Sequence, residues 1–541
     1  MKIFEKYFLL LLSIFYFSSC KNEKKNNGQI FYYNETRGIA TLDPAFAKSQ
    51  SVIWPISQMY NTLIALDSNL NFIPSLAKSW QISANHLVYT FHLRNNIFFQ
   101  DNAAFNNGKG RRLIAQDVVY SLNRILDPGT ASSGAWIFND RIAPNGFKAL
   151  NDSTFQLTLR KPFHPILGIL SMQYSSIVPH EVVEKYGKDF GRHPCGTGPF
   201  QMKFWADGQV LVLEKNPHYW ETDSKGRHLP YLDAVCISFI NNKANEFLQF
   251  RQGKLSFIND VDPSFKDEVI TKSGVLRKQW KNKIILQKHA YLNTEYLGIL
   301  MDQHNELLRN SPLKIKAVRQ AINYAIDKKL LMMYLRNSIG LPADAGFVPG
   351  GLPSRNTDSV KGYVFNQSKA LKLLSDAGFP EGRNLPVIKL LTNPDYADVA
   401  IFIARQESNI GIHIQVEVLQ KSMLLQQTAQ SEAAFFLGSW IADYPDAENY
   451  MAVFYSKNPA PPNYTRYNNA AFDVLYNQSL EENNDSIRYT LYRKMDQMVI
   501  DDAPVVPIFY DEVIRLVQPN INGFRTDALN SLKLKGVYFS K

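Results

Sequence analysis

The residues best suited to chemistry lie in one short segment, which begins at Trp440 and continues with three carboxylates between Asp443 and Glu448. An indole three residues from an aspartate offers an apolar wall beside a fixed anion, which suits a ligand whose cationic group adjoins a hydrophobic one. Two other interpretations stay open here. Three acids in six residues can bind calcium, although the spacing lacks the alternating oxygen ligands and central glycine of a calcium loop. Pro445 also favours a plain solvated turn.

The rest of the sequence carries few signs of catalysis or metal binding. It contains no Gly-x-Ser-x-Gly segment, no Gly-Lys-Ser/Thr phosphate loop and no His-Glu-x-x-His segment, and its ten histidines are scattered singly. Cys195 and Cys236 form no Cys-x-x-Cys pair, which leaves either a disulfide or two buried free thiols. We therefore expect no catalytic residue, no cofactor and no metal site.

Composition indicates a large globular protein. The 541 residues are 45% hydrophobic and 20% charged, which excludes disorder as the main state, and a chain of this length usually forms about two to four domains. The net charge of +10 admits nucleic acid or an anionic surface as a partner, but a basic soluble protein is the favoured interpretation. The aromatic content of 13% is high, and we expect some of the aromatic rings to line a binding surface.

The N-terminus is typical of an export signal. Two lysines precede an apolar run at residues 7–17, which is shorter than the ~20 residues of a membrane-spanning helix. Ser18 and Ser19 stand directly before Cys20, as in a bacterial lipobox, and a polar stretch follows. We predict a signal peptide at 1–19, a lipid on Cys20 and a tether at 20–28. An ordinary signal peptide with a chance cysteine is the alternative.

Helical and strand patterns alternate along the chain, which predicts a mixed α/β fold. Alternation with a period of two predicts strands at 87–94, 153–159 and 412–419, and apolar stripes predict helices at 118–126, 318–330 and 491–499. Asn366 and Gly378 are predicted to cap and to stop a further helix. Segments rich in glycine and proline at 194–199, 340–353 and 459–462 are loops or linkers.

A series of short motifs resembles the extracytoplasmic solute-binding proteins of ABC transporters, in the peptide and nickel class known as family 5. No single motif is decisive, but they follow one another in the family's order over nearly the whole chain after the signal. The segments are Leu42-Asp43-Pro44-Ala45, YNTL (60–63), PSLAKSW (74–80), YTFHLR (89–94), DVVYSL (117–122), GTGPF (196–200), NPHYW (216–220), VRQAI with AID (318–327) and WIADY (440–444).

The resemblance implies a two-lobed periplasmic-binding-protein-like α/β fold that closes on a solute and delivers it to an ABC permease. It implies a first lobe made of residues 29–47, 195–290 and 515–541, a subdomain inserted at 48–194, and a second lobe at 291–514. It further implies a monomer in the bacterial cell envelope, anchored by lipid and facing the periplasm, that is not an enzyme and binds no nucleic acid.

The resemblance also assigns residues. In peptide-binding members, the aspartate of a Trp-x-x-Asp-Tyr segment pairs with the ligand's α-ammonium group, and Asp443 and Trp440 match this pattern. Tyr444 is a further candidate contact. Lys48 stands where some members carry an acidic ligand contact, and Leu437 where some carry arginine. Lys48 is thus either a partner for a ligand carboxylate or a surface lysine.

Three classes of function remain open from the sequence. The first is a peptide receptor for import. The second is a receptor of the same fold for another solute, such as a nickel chelate, an oligosaccharide or haem. The third is an envelope enzyme or a surface interaction protein.

Overall fold

The computed structural model describes residues 28–355 and 359–540, so the predicted signal peptide and Cys20 lie outside the described residues. No helix in the described chain has the length and apolar character that a membrane crossing requires. The strands are β1 Ile30–Asn34, β2 Ile64–Leu66, β3 Phe72–Pro74, β4 Ala77–Ile82, β5 Val88–Leu93, β6 Ile142–Asn151, β7 Thr154–Leu159, β8 Phe200–Ala206, β9 Val210–Lys215, β10 Ala234–Ser238, β11 Phe257–Asn259, β12 Ile285–Ile299, β13 Leu341–Pro342, β14 Ile388–Thr392, β15 Ile414–Val418, β16 Phe435–Ile441, β17 Val505–Val517, β18 Ile521–Asn522 and β19 Tyr538–Phe539. The α-helices are α1 Gln50–Met59, α2 Ala115–Leu126, α3 Ile166–Ser171, α4 His180–Tyr186, α5 Lys243–Arg251, α6 Pro263–Val269, α7 Lys316–Ala325, α8 Lys328–Arg336, α9 Gln367–Asp376, α10 Ala397–Ser408, α11 Lys421–Ala429, α12 Glu448–Met451, α13 Ala470–Glu481 and α14 Asp485–Asp502.

In the described residues three sheets have four or more strands, and the second of them, β4 to β7, lies in the chain between β1 and β8 of the first. One has the order β1-β10-β9-β8, with β1 parallel to β10, and a fully antiparallel one has the order β4-β5-β7-β6. The largest has the order β11-β17-β12-β16-β14-β15. In it, β14 runs parallel to both β15 and β16, whereas β12 runs antiparallel to β16 and β17.

Two long neighbouring strands, β12 and β17, pair along much of their length in the largest sheet. β12 has 15 residues and β17 has 13, and their pairing is interrupted by a bulge between Ala290 and Thr294. Near one end, Leu286 and Leu516 pack in one hydrophobic cluster, whereas Leu297 and Val506 at the other end belong to a second cluster. The two strands also run across the predicted lobe boundaries at 290/291 and 514/515, so that division of the chain stays a prediction.

Local patterns predict several elements well. In β5, Tyr89, Phe91 and Leu93 are buried and alternate with half-buried residues, which confirms the period of two. Asn366 caps its helix by accepting a hydrogen bond from the Lys369 amide. The apolar stripe at 318–330 was expected to form one helix, and that expectation is wrong. The chain becomes extended at 326, and the Asp327 side chain caps a second helix, α8.

Cys195 and Cys236 are both free thiols, which excludes the disulfide; Cys195 is buried as expected, whereas Cys236 is half-buried. The Cys195 thiol is buried and donates a hydrogen bond to the carbonyl of Gln100, 3.3 Å away. Burial raises the pKa of both thiols, so both stay protonated at neutral pH and react poorly.

Glu407 is a carboxyl group buried in the helical layer of the largest sheet. It lies in α10 with no exposed surface, and neither of its carboxylate oxygens finds a hydrogen-bond partner among the described residues. Burial raises its pKa well above 4.5. The folded protein therefore keeps the proton while the unfolded chain ionises above pH 4.5, so stability falls as the pH rises above that value.

We expect Glu407→Gln to change the free energy of unfolding more favourably at pH 7 than at pH 4, because only at the higher pH does the substitution also remove the cost of keeping a proton on the buried carboxyl group. Urea denaturation at both pH values measures the difference. Glu432→Gln, at an exposed position, is the matched control and should change neither value. The same gain at both pH values would contradict the explanation.

Candidate ligand-binding site

The loop that carries Asp443 lies at the edge of the largest sheet where the parallel strands end. It follows β16, and the turn at Pro394–Tyr396 follows β14, which runs parallel to β16. The carboxyl ends of parallel strands share one edge, and this edge is where α/β proteins usually place ligand-binding loops. Both loops are therefore positioned to line a site.

A single buried amide holds Trp440 and Asp443 together. The Oδ1 atom of Asn449 accepts hydrogen bonds from the Trp440 indole at 3.0 Å and from the Asp443 backbone amide at 3.3 Å. Its Nδ2 atom donates to Oδ2 of Asp443 at 3.3 Å. Asn449 is 3% exposed and lies in the short helix α12. The indole wall and the carboxylate are thus fixed relative to each other by the protein itself.

The Asp443 carboxylate is accessible but poorly solvated. The residue is exposed, no described cation forms an ion pair with it, and its Oδ1 atom accepts no hydrogen bond from the described residues. Crowding by surrounding protein raises its pKa to about 6, against the hydrogen bond from Asn449, and the charge of Glu448 adds to the shift. Protein therefore surrounds this carboxylate on some sides while solvent reaches it on others, and we call its surroundings the Asp443 recess. No cation among the described residues contributes to the pKa of Asp443.

Tyr444 lies beside Asp443 but points into protein. It is 3% exposed, and its hydroxyl donates to the buried Glu448, whose second oxygen accepts from Tyr476. Its ring joins the hydrophobic cluster of the N-terminal part of the chain, and a Cβ added at Gly168 in α3 would lie 3.0 Å from the Tyr444 Cβ. Tyr444 therefore attaches the Asp443 loop to the segment predicted to be the inserted subdomain.

Tyr174, in the predicted inserted subdomain, lies near the same carboxylate. Burial raises the pKa of Tyr174, and the charge of Asp443 adds to the shift, which places the two groups within electrostatic range. The turn that contains Tyr174 packs against the turn at Pro44–Phe46. Lys48 lies just beyond this turn, after Ala47; it is exposed, and no hydrogen bond or ion pair of its ammonium group appears within the described residues. Lys48 thus lies on the same side of the fold as Tyr174.

A buried ion pair fixes that turn. Asp43 accepts two hydrogen bonds from the Arg124 guanidinium, at 2.9 and 2.6 Å, and a third from the Ala45 amide at 3.0 Å. The two side chains are 7% and 12% exposed. The Asp-Pro motif of the sequence therefore anchors the segment that leads to Lys48.

The remaining acids of the 443–448 segment are engaged within the protein. Asp446 lies 3.9 Å from Arg488 and accepts a hydrogen bond from the Glu448 amide at 2.8 Å, while Glu448 binds two tyrosine hydroxyls. In residues 28–355 and 359–540, no cluster of His, Cys, Asp and Glu is arranged to hold a metal ion. Of the three acids, Asp443 is the one left available to a ligand.

Sequence reasoning missed two residues of this site. Asn449 lies six residues beyond Asp443, but nothing in the pattern of an isolated amide shows that it bonds to both Trp440 and Asp443. Tyr174 comes from a segment about 270 residues earlier, and only the packing of two turns brings it near. Neither has a signal in local sequence.

The arrangement of the larger sheets, with a site formed by segments far apart in the chain, is that of a two-lobed periplasmic-binding-protein-like fold. The chain belongs to the bacterial extracellular solute-binding proteins, family 5, whose middle region matches residues 71–462. It is 27% identical to the haem-binding protein A of Haemophilus influenzae over 93% of this chain and 90% of that protein. It is 26% identical to the periplasmic oligopeptide-binding protein OppA of Salmonella typhimurium, over 95% and 93% of the two chains. The structure of the periplasmic binding protein DppA of Helicobacter pylori, in complex with the peptide STSA, superposes with a TM-score of 0.77 at 24% identity, over 95% and 98% of the chains.

Proposed function

We propose that this protein is a lipid-anchored extracytoplasmic receptor that binds peptides by their amino terminus and delivers them to an ABC permease. It carries out no catalysis; its task is to bind and release a solute. As a solute-binding protein of family 5 it belongs to a transport family, and one relative named for oligopeptide binding covers nearly its whole length.

The observation that carries the proposal is the unpaired carboxylate of Asp443. A peptide ammonium group would supply the cation that the recess lacks, and the half-buried Trp440 would cover the adjoining side chain. Lys48 is the proposed partner for a ligand carboxylate. Tyr444 contributes by holding the Asp443 loop against α3, since its ring and hydroxyl are already engaged.

The proposed transport cycle needs a difference between empty and loaded receptor. Asp443 and Trp440 come from the predicted second lobe, whereas Tyr174 and Lys48 come from the predicted inserted subdomain of the first lobe. A ligand that touches both sets binds the closed arrangement more tightly than an open one, and so it shifts the equilibrium toward closure. We propose β12 and β17 as the connection between the lobes, because both strands run across the predicted boundary.

Native mass spectrometry of the purified protein tests the class of solute. We expect co-purifying masses that fragment into amino acids, and thermal stabilisation by unmodified peptides but not by the same peptides with an acetylated amino terminus. A co-purifying metal chelate, oligosaccharide or haem would overturn the peptide assignment in favour of the second class of solute. If the protein catalysed a reaction and no small ligand raised its melting temperature, the assignment as a receptor would be overturned.

The raised pKa of Asp443 predicts how affinity depends on pH. With a pKa of about 6, the carboxylate is mostly ionised at pH 7 and mostly protonated at pH 5. We expect a peptide with uncharged side chains and an amidated carboxyl terminus to bind about tenfold more weakly at pH 5 than at pH 7. The reason is that the ammonium group of the ligand pairs only with the ionised form of Asp443. Isothermal titration calorimetry measures this ratio. An unchanged affinity across this range would contradict the ion pair.

Membrane attachment through Cys20 is part of the proposal and has a separate test. Mass spectrometry of the protein from membranes should find an N-terminal diacylglycerol-modified cysteine and no residues before it. Cys20→Ser should release the protein into the soluble fraction without changing peptide affinity, because the anchor affects location and not the site.

A further inference from the structure

A second group of carboxylates lies near the same edge of the largest sheet, at the β12 bulge. Glu295 in β12 is 1% exposed and lies opposite the exposed Ser439 of β16 in the strand register. Its Oε1 atom accepts hydrogen bonds from the Asn293 amide at 3.0 Å and the Tyr396 hydroxyl at 2.8 Å. Its Oε2 atom is buried and has no hydrogen-bond partner among the described residues. One of the two carboxylate oxygens of Glu295 therefore accepts no hydrogen bond from the described residues.

Asp511 in β17 adds a second anion that solvent can reach. Its side chain is 17% exposed, and its Oδ1 atom accepts a hydrogen bond from the Arg336 guanidinium at 3.0 Å. Its Oδ2 atom accepts none from residues that the structure describes. Arg336 is 30% exposed and also stacks over Phe509, 5.1 Å from the ring centre. The group thus contains two carboxylates and one guanidinium, so its negative charge exceeds its positive charge.

Two tyrosines connect this group to Asp443. Burial raises the pKa of Tyr291, and the charges of Asp511 and Glu295 add to the shift. Burial likewise raises the pKa of Tyr450, with added contributions from Tyr291 and Asp443. These contributions require the groups to lie within electrostatic range of one another. Tyr291 thus has Asp511 and Glu295 among its near charges, and Tyr450 has Tyr291 and Asp443, so the Glu295 group and Asp443 lie in the same part of the fold.

The strand register limits the distance between the two anionic points. Ser439 lies opposite Glu295 on a neighbouring strand, and Asp443 follows four residues later. An extended chain rises ~3.3 Å per residue, so Asp443 lies at most ~13 Å along the strand direction from Ser439. An extended peptide bound at Asp443 by its amino terminus spans this distance within about three or four residues.

We propose that Glu295 and Asp511 form a second recognition pocket of the cleft, which takes the cationic side chain of a lysine or arginine near the amino terminus of a bound peptide. This inference rests on the proposed peptide-binding function and specifies its ligand class. A side-chain ammonium or guanidinium donates several hydrogen bonds, which match the free oxygens of the two carboxylates and supply the missing positive charge.

The protonation of Glu295 supports the pocket and gives it a signature. Burial raises its pKa to about 7, and the nearby Asp511 adds to the shift, while hydrogen bonds oppose it. At pH 7 about half of the molecules carry a proton there, and a bound cation would expel it. The titratable and polar groups that face Glu295 are Tyr291 and Asn293 on its own strand, Tyr396 on the turn after β14, Ser439 on β16, Asp511 on β17 and, through Asp511, Arg336 on α8.

Calorimetry with matched tripeptides tests the pocket. The peptides are variants of trialanine in which lysine, norleucine or glutamate replaces the alanine at position one, two or three. Lysine and norleucine side chains differ mainly in charge. We expect lysine at one position at least to bind tenfold or more tightly than norleucine. Glu295→Gln should reduce that preference to less than threefold while leaving norleucine peptides within threefold of wild type. Glu432→Gln, at an exposed site, is the matched control and should keep the preference.

A second measurement needs no variant and so does not depend on folding of Glu295→Gln. At pH 7, titrations of wild type in buffers of different ionisation enthalpy should show that the lysine peptide releases about 0.5 proton more than the norleucine peptide. Equal affinities and equal proton release at all three positions, or tighter binding of glutamate, would overturn the pocket while leaving peptide binding intact. If no peptide binds at all, the proposed function fails, and the pocket fails with it.

Discussion

Asp443→Asn is expected to weaken the binding of peptides with a free amino terminus by about 100-fold, close to 3 kcal/mol, as measured by calorimetry at pH 7. Removing one partner of an enclosed charge pair costs ~2–5 kcal/mol, and asparagine keeps the size of the side chain but not its charge. The lower half of that range applies because Asp443 is reached by solvent. The pH dependence between 5 and 7 should disappear in the same variant.

Two controls separate the ion pair from general damage to the cleft. N-acetylated peptides should bind the variant and the wild type equally, because they carry no ammonium group. Asp376→Asn, at an exposed carboxylate on α9 that pairs with Lys372, should leave affinity for both kinds of peptide unchanged. If Asp443→Asn bound free and acetylated peptides as the wild type does, the amino-terminal anchor would be refuted.

Arg124→Met is expected to lower the free energy of unfolding by about 3 kcal/mol in urea denaturation. Arg124 donates two hydrogen bonds to Asp43, and both side chains are nearly buried, so the substitution leaves an uncompensated carboxylate in the protein interior. The double variant Asp43→Ala, Arg124→Met should recover part of the loss, because it removes that charge as well.

Exposed charges supply the comparison for this pair. Lys109 and Asp101 also form an ion pair, at 2.8 Å, but they are 75% and 43% exposed. Lys109→Met should therefore change stability by no more than about 0.5 kcal/mol. A similar loss in Lys109→Met and Arg124→Met would show that burial does not explain the effect. Because Asp43 fixes the turn before Lys48, Arg124→Met should also weaken the binding of peptides with a free carboxylate.

Short-range patterns in the sequence predict much of the local structure. The alternation of Tyr89, Phe91 and Leu93 depends only on which face of a strand is buried, and the cap at Asn366 depends on an amide four positions away at most. The family motifs likewise predict the fold class, because they keep their order along the chain. Where a local pattern fails, as at 326–327, the apolar stripe continues while the backbone turns, and a capping aspartate starts a new helix.

The sequence by itself determined the fold class and the family, and it singled out the segment that carries the candidate ligand-binding carboxylate, since each of these depends on residue types and order. It could not decide which carboxylate stays available. The tertiary structure pairs Asp446 with Arg488 and Glu448 with two tyrosines, gives Asp443 no ion pair with a described cation, and brings Glu295 near Asp511 of the adjacent strand β17, more than 200 residues later in the chain. Burial and partnership are set by contacts between residues far apart in the chain, and these contacts alone determine which charges remain to bind a solute.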